Sequence, residues 1–134
     1  MRTRKKILIV DDDLDLCHIL QTVFEQVGYD TVLAVNGKEA VDLAISQLPD
    51  LILMDIMLPV MDGLQATRMI RENPSTHSTP IIAMTARVSI EDKENCFRSG
   101  CDDFIAKPFT VKEMTSCIEK LLQQSSVNLV SLPS

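Results

Sequence analysis

The chain has 134 residues, of which 46% are apolar, and carries a formal net charge of −6. That length suits one domain burying roughly two-thirds of its unfolded surface, while the acidic balance excludes a general nucleic-acid binder, which needs a basic footprint. No apolar stretch reaches transmembrane length, and Cys17, Cys96, Cys101 and Cys117 lack the C-x-x-C spacing or His neighbours of a zinc site, so they are expected to be structural thiols.

The basic start (Arg2, Arg4, Lys5, Lys6) leads into Ile7–Val10, too short for a signal-peptide core and closed by Asp11-Asp12-Asp13. A soluble cytoplasmic protein is the expectation. Lys5–Val10 is a continuous β-branched run, as a buried parallel strand would be. Leu14, Ile19, Leu20, Val23, Phe24 and Val27 then recur at helical spacing, with Gly28 at the C-terminal cap. Tyr29–Val35 reads as a second strand, Gly37–Gln47 as a helix with Ala40, Val41, Ala44 and Ile45 on its apolar side, and Leu51–Met54 as a third strand.

Gly63–Arg71 is expected to be the third helix, followed by a polar loop at Asn73–Thr79 and a fourth strand at Pro80–Met84. Ser89 with Asp92, and Thr110 with Glu113, have capping-box spacing and should each open a helix. Asp103–Ala106 lies between them as the fifth strand. The last helix is expected to end near Gln124, giving a domain over residues 1–124 and a loose tail or linker over 125–134.

Five successive β-α units imply an α/β fold, a doubly wound parallel sheet with helices on both faces. Such a sheet binds its ligand beyond the carboxyl ends of its strands. Those ends carry Asp11-Asp12-Asp13, Asp55, Thr85 and Lys107. Singly, each has an ordinary explanation: Asp13 as an N-cap, Thr85 in a turn, Lys107 on the surface. Together they make a cluster of carboxylates with one hydroxyl and one ammonium.

Two carboxylates about 4 Å apart repel by roughly 4 kcal/mol at an effective dielectric of 20, so the cluster calls for a cation. Hard oxygens without His or Cys point to Mg²⁺. A metal-neutralised phosphoryl group, met also by Lys107 and Thr85, would then be attacked by Asp55 as nucleophile.

The segments ILIVDDD (7–13), LILMDIMLPVMDG (51–63), IIAMTA (81–86) and FIAKPF (104–109) resemble those of two-component response regulator receiver domains, the chemotaxis-regulator-like superfamily. The resemblance implies a flavodoxin-like five-stranded sheet in the order 2-1-3-4-5, an order for which a member of this superfamily is a standard example. It also implies phosphorylation of Asp55, with Asp11, Asp12, Asp55 and the Met57 backbone carbonyl holding Mg²⁺. Thr85 and Lys107 would meet the phosphoryl group, Thr85 and Phe104 would form the switch, and the Lys107–Pro108 bond would be cis. Phe104 departs from the tyrosine often found at its position. Met57 and Arg87 flank the phosphate position, and neither orients an attacking water as a carboxylate or amide would, so a long-lived phosphorylated state is expected.

The implied role is a phosphorelay switch that catalyses only its own phosphorylation and dephosphorylation. Its donor would be a sensor histidine kinase or histidine phosphotransfer protein. A downstream protein partner would bind the face formed by the fourth helix, fifth strand and fifth helix, without direct contact to nucleic acid or membrane. The rival enzyme reading is a haloacid-dehalogenase-type phosphatase, whose nucleophile motif Asp11-x-Asp13 superficially matches. A flavodoxin-like FMN binder is the non-covalent rival, and it needs a hydroxyl- and glycine-rich loop where three aspartates stand.

Overall fold

The computed structural model describes residues 4–131, with side-chain surroundings through residue 123. Its elements are β1 (Lys6–Val10), α1 (Leu14–Gln26), β2 (Asp30–Ala34), α2 (Gly37–Gln47), β3 (Leu51–Asp55), α3 (Gly63–Glu72), β4 (Ile81–Thr85), α4 (Ile90–Ser99), β5 (Asp103–Ala106) and α5 (Val111–Ser131). The strands form one parallel sheet in the order β2-β1-β3-β4-β5. Each expected strand is present, displaced by at most one residue at either end.

The three inner strands are covered on both faces, which explains why they read as unbroken apolar runs rather than alternating ones. Leu8, Val10, Ile52, Met54, Ile81 and Ala83 pack on the side of α2, α3 and Cys96 of α4. Ile7, Ile9, Leu51, Leu53, Ile82 and Met84 pack on the side of α1 and α5. Between the two clusters β3 and β4 are buried along their whole length and β1 from Ile7 onward.

Helix starts are fixed by side-chain caps. Asp13, Asn36, Asp62 and Ser89 each accept a hydrogen bond from a backbone N–H in the first turn of α1, α2, α3 and α4, satisfying donors that have no partner inside the helix. At α5 the capping box closes reciprocally: Glu113 N–H donates to Thr110 Oγ1 at 3.0 Å, and Thr110 N–H donates to Glu113 Oε1 at 3.4 Å. α4 ends at Gly100, whose φ of 116° suits glycine, with Cys101 N–H donating to the Cys96 carbonyl at 3.1 Å.

The structure sets the phase of α1 and corrects the expected end of α5. The buried side of α1 is Cys17, Leu20 and Phe24, whereas Leu14, Ile19 and Val27 are exposed. The cap at Asp13 and the Cys17 thiol, which donates to the Asp11 carbonyl at 3.3 Å, fix the phase of this helix. The backbone of α5 continues helical to Ser131, beyond the expected end at Gln124. No glycine or proline stands between Phe109 and Leu132 to stop it. Residues 132–134, the rest of the expected tail, lie outside the described residues, as does Arg2.

All four cysteines are free, and Cys17, Cys96 and Cys101 are buried. Burial raises each thiol, to about 11 at Cys17 and about 12 at Cys101. They behave as small core residues, as expected.

Candidate acidic site at the strand ends

The carboxyl edge of the sheet gathers the predicted residues. Asp11 directly follows β1 and is 1% exposed; Asp55 is the last residue of β3 and 4% exposed. Carboxylate oxygens of Asp11, Asp12 and Asp55 lie within 4.8 Å of one another, the one such acidic group among the described residues. Asp12 is exposed, so the cluster opens to solvent on that side.

Lys107 reaches into it from beyond β5, its Nζ 2.7 Å from Asp11 Oδ2 and 3.5 Å from Asp55 Oδ2. The other oxygens are partly engaged: Asp13 N–H donates to Asp11 Oδ1 at 3.0 Å, and Met57 N–H donates to Asp55 Oδ1 at 3.2 Å. These local bonds account for the orientation of the two buried carboxylates.

The charges do not balance. Three carboxylates face one ammonium, leaving a surplus of two negative charges. Burial, and after it the charge of Asp11, raises the Asp55 carboxyl from its ordinary 3.8 to about 6, although Lys107 and the Met57 N–H act in the opposite sense. Burial pulls the Lys107 ammonium down, but Asp11 and Asp55 outweigh it and leave the lysine raised. The all-oxygen donor set and the two surplus charges fit a hard divalent cation of the Mg²⁺ kind.

Thr85 ends β4, one residue beyond the Asp55–Met84 pairing, and is buried. Its Oγ1 accepts the Arg87 N–H at 3.0 Å, which leaves its own proton to donate. Phe104 is not at the edge: it pairs with Ala83, below Thr85, and its half-buried ring packs on the α3–α4 side. Met57 and Arg87 are exposed at the rim, and the Lys107–Pro108 peptide is cis. Asp13 turns away to cap α1, so the Asp11-x-Asp13 pair is not assembled as a phosphatase dyad.

Two glycines do more than the sequence revealed. A Cβ on Gly63 would collide with the Asp55 carbonyl, and one on Gly37 with the Met61 carbonyl. Gly63 N–H donates to the Ile56 carbonyl and Gly37 N–H to the Met61 carbonyl, each at 3.0 Å. The loop carrying Met57 is thereby pinned at both ends against α3 and α2. Within it Val60 has a φ of 67°, an unusual conformation for a β-branched residue.

Comparison with known proteins gives one answer. A family model described as the response regulator receiver domain matches residues 7–119. The chain is 38% identical over 120 residues to the DNA-binding dual master transcriptional regulator RpaA of Synechocystis, covering 90% of this chain and 50% of that protein. It is 36% identical over 123 residues to the alkaline phosphatase synthesis transcriptional regulatory protein PhoP of Bacillus subtilis, covering 92% and 50%. The chain thus spans about half the length of these curated relatives. Among solved structures, the receiver domain of a Pseudomonas aeruginosa sensor histidine kinase, with a magnesium ion coordinated in its active-site cleft, superposes with a TM-score of 0.83 at 36% identity, covering 90% of this chain and 99% of that one. A CheY-like receiver domain protein from Methanospirillum hungatei gives 0.88 at 25% identity, covering 94% and 99%.

Proposed function

The chain belongs to the response regulator receiver domain family, the signalling switch of two-component systems, and we propose that its acidic edge accepts a phosphoryl group on Asp55. The observation that carries the assignment is the position of Asp55: a buried carboxylate with a negative neighbour and an ammonium within reach, at the open end of the central strand. An ionised Asp55 oxygen attacks phosphorus, the Asp55 O–P bond forms, and the bond from phosphorus to the donor nitrogen breaks. The electron pair leaves with the donor's imidazole.

Asp11, Asp12 and Asp55, with the Met57 carbonyl, would hold Mg²⁺, which supplies charge neutralisation for phosphoryl oxygens. The remaining work falls to side chains already in place. Lys107 bridges Asp11 and Asp55 at rest, so its Nζ needs only a small swing to meet an oxygen of the new group. Thr85 keeps a proton to donate to another oxygen. As the hydroxyl moves toward the phosphoryl group, the Phe104 ring shifts, and the surface of α4, β5 and α5 changes for a protein partner. Such switching requires only a few kcal/mol of differential interaction.

The donor is read as a histidine-phosphorylated protein, either a sensor kinase or a phosphotransfer protein. A shallow apolar recess of about 390 Å³, bordered by Leu16, Pro108 and Phe109 beside Lys107, gives such a donor a place to rest near the acidic edge. The net charge of −6 does not favour direct contact with nucleic acid by this domain. No helix among the described residues is long and apolar enough to cross a membrane, and a cytoplasmic location is consistent with the role.

Labelling tests the reading. A small phosphoramidate or acyl phosphate with Mg²⁺ should introduce one hydroxylamine-labile phosphoryl group. Asp55→Asn should remove it, because an amide is too poor a nucleophile. Asp12→Ala should slow labelling without abolishing the acceptor. Undiminished labelling of Asp55→Asn would refute the assignment.

A further inference from the structure

Phe104 occupies the switch position without the hydroxyl that would tie a tyrosine ring to a partner. Its ring nevertheless has a cation beside it, the Lys93 ammonium of α4, 5.5 Å from the ring centroid. That is inside the range of about 6 Å in which a cation is attracted to an aromatic face. Lys93 is exposed, and among the described residues its ammonium forms no ion pair. The adjacent carboxylate of Asp92 is already bonded by the Ser89 hydroxyl at 2.7 Å.

The location of this contact on α4 gives it leverage. The far end of the helix is fastened: Arg68 donates to Ser99 Oγ at 3.1 Å and Arg71 to the Gly100 carbonyl at 3.0 Å. The near end is capped by Ser89 but faces solvent, beginning with Ile90 at 78% exposure. A cavity of about 110 Å³, walled by Thr85, Ile56, Leu64, Asn95 and Cys96, separates α4 from the ends of β3 and β4 and leaves room for movement. Lys93 therefore joins the exposed first turn of α4 to the ring on β5.

We infer that Lys93 is a positioning residue that holds the Phe104 ring in its resting place, substituting attraction to the ring face for the missing hydrogen bond. Inward movement of the ring draws its face away from an ammonium that remains in solvent. Lys93 thus favours the resting form, and loss of its charge favours the phosphoryl-bearing form. The inference rests on the reading of Phe104 as the switch aromatic.

The experiment compares the whole chain with its Lys93→Met and Lys93→Arg variants; Lys93 is exposed, so neither change disturbs the core. In the resting wild type, proton NMR should find the Lys93 ε-methylene displaced upfield by the ring current, and Phe104→Leu should abolish the displacement. Titration with beryllofluoride and Mg²⁺, read from backbone amide shifts, should show Lys93→Met binding about two- to fivefold more tightly than wild type, the factor expected of an exposed cation–π contact. Lys93→Arg, which keeps the cation, should restore the wild-type value. An absent upfield displacement, or equal affinities for wild type and Lys93→Met, would overturn the inference while leaving the Asp55 assignment intact. A wild type that ignores beryllofluoride altogether would instead refute the phosphoacceptor reading, and this inference with it.

Discussion

The two ends of the sheet treat charge in opposite ways. At the amino ends of β4 and β5, Arg71 (18% exposed) donates to the carbonyls of Gly100, Thr76, His77 and Thr79 and pairs with Asp102 at 2.8 Å. Asp102 in turn accepts the Ile81 N–H at 2.8 Å. Arg71 and Asp102 complement each other there, and three segments of chain are clasped together. At the carboxyl ends, Asp11, Asp12 and Asp55 share one Lys107, and two negative charges are left over. The satisfied end contributes stability, while the unsatisfied end is kept ready for a cation and an incoming phosphoryl group.

Breaking the satisfied end should have the largest effect on the fold. Arg71→Met leaves several half-buried carbonyls without a donor, so urea unfolding should show a loss of about 3 kcal/mol. The initial labelling rate of the protein that remains folded should be unchanged, because the clasp lies at the opposite edge from Asp55.

Relieving the unsatisfied end should do the reverse. In EDTA at pH 7.5, Asp55→Asn should gain about 1–3 kcal/mol, since one pKa unit corresponds to roughly 1.4 kcal/mol. The sign follows from the raised carboxyl: at about 6 when folded against its ordinary 3.8, Asp55 holds its proton more tightly in the folded chain. Its favourable contribution is complete below about pH 4 and is lost as pH rises through about 6. The stability difference between variant and wild type should therefore grow from pH 4 to 6 and level off above it. A difference independent of pH would show that the cluster is balanced after all.

Two smaller effects sharpen the contrast at the rim of the acidic edge. Hydrolysis of the phosphorylated form needs a water held in line, and positioning supplies much of such a rate. Met57 and Arg87 are both exposed beside the site, and neither positions that water as a carboxylate or amide would. The wild type should decay over many minutes in excess Mg²⁺, and a Met57→Asn, Arg87→Glu double variant severalfold faster. A variant that decays no faster would remove the rim from the account. Val60, 83% exposed at a φ of 67°, is strained in the same loop. Val60→Gly should raise thermal stability slightly, by about 0.5 kcal/mol, the relief of the left-handed backbone being partly offset by a more flexible unfolded chain.

The acidic edge was far more legible in the sequence than the clasp. Strand-end residues sit at fixed places relative to apolar runs, so Asp11, Asp55, Thr85 and Lys107 could be placed together once the runs were recognised as parallel strands. Arg71 binds mainly backbone carbonyls of a loop and a helix end, and carbonyls leave no mark in residue identity. The same reason hid Gly37 and Gly63, whose partners are the carbonyls of Met61 and Ile56. Helix phase was the other gap. Leu14, Ile19 and Val27 recur at helical spacing but are exposed, while the cap of α1 and the bond from Cys17 to the Asp11 carbonyl turn Cys17, Leu20 and Phe24 inward. The end of α5 was misplaced because an apolar period was used to place it, whereas no glycine or proline stands between Phe109 and Leu132 to stop the backbone helix.

Location of the covalent bond tests the assignment most directly. Borohydride reduces an acyl phosphate to the alcohol, converting a phosphorylated aspartate to homoserine, which peptide mass spectrometry can locate. After labelling with a small phosphodonor and Mg²⁺, homoserine should appear at position 55 and nowhere else. Homoserine at position 11, 12 or 13, with Asp55 unmodified, would contradict the account.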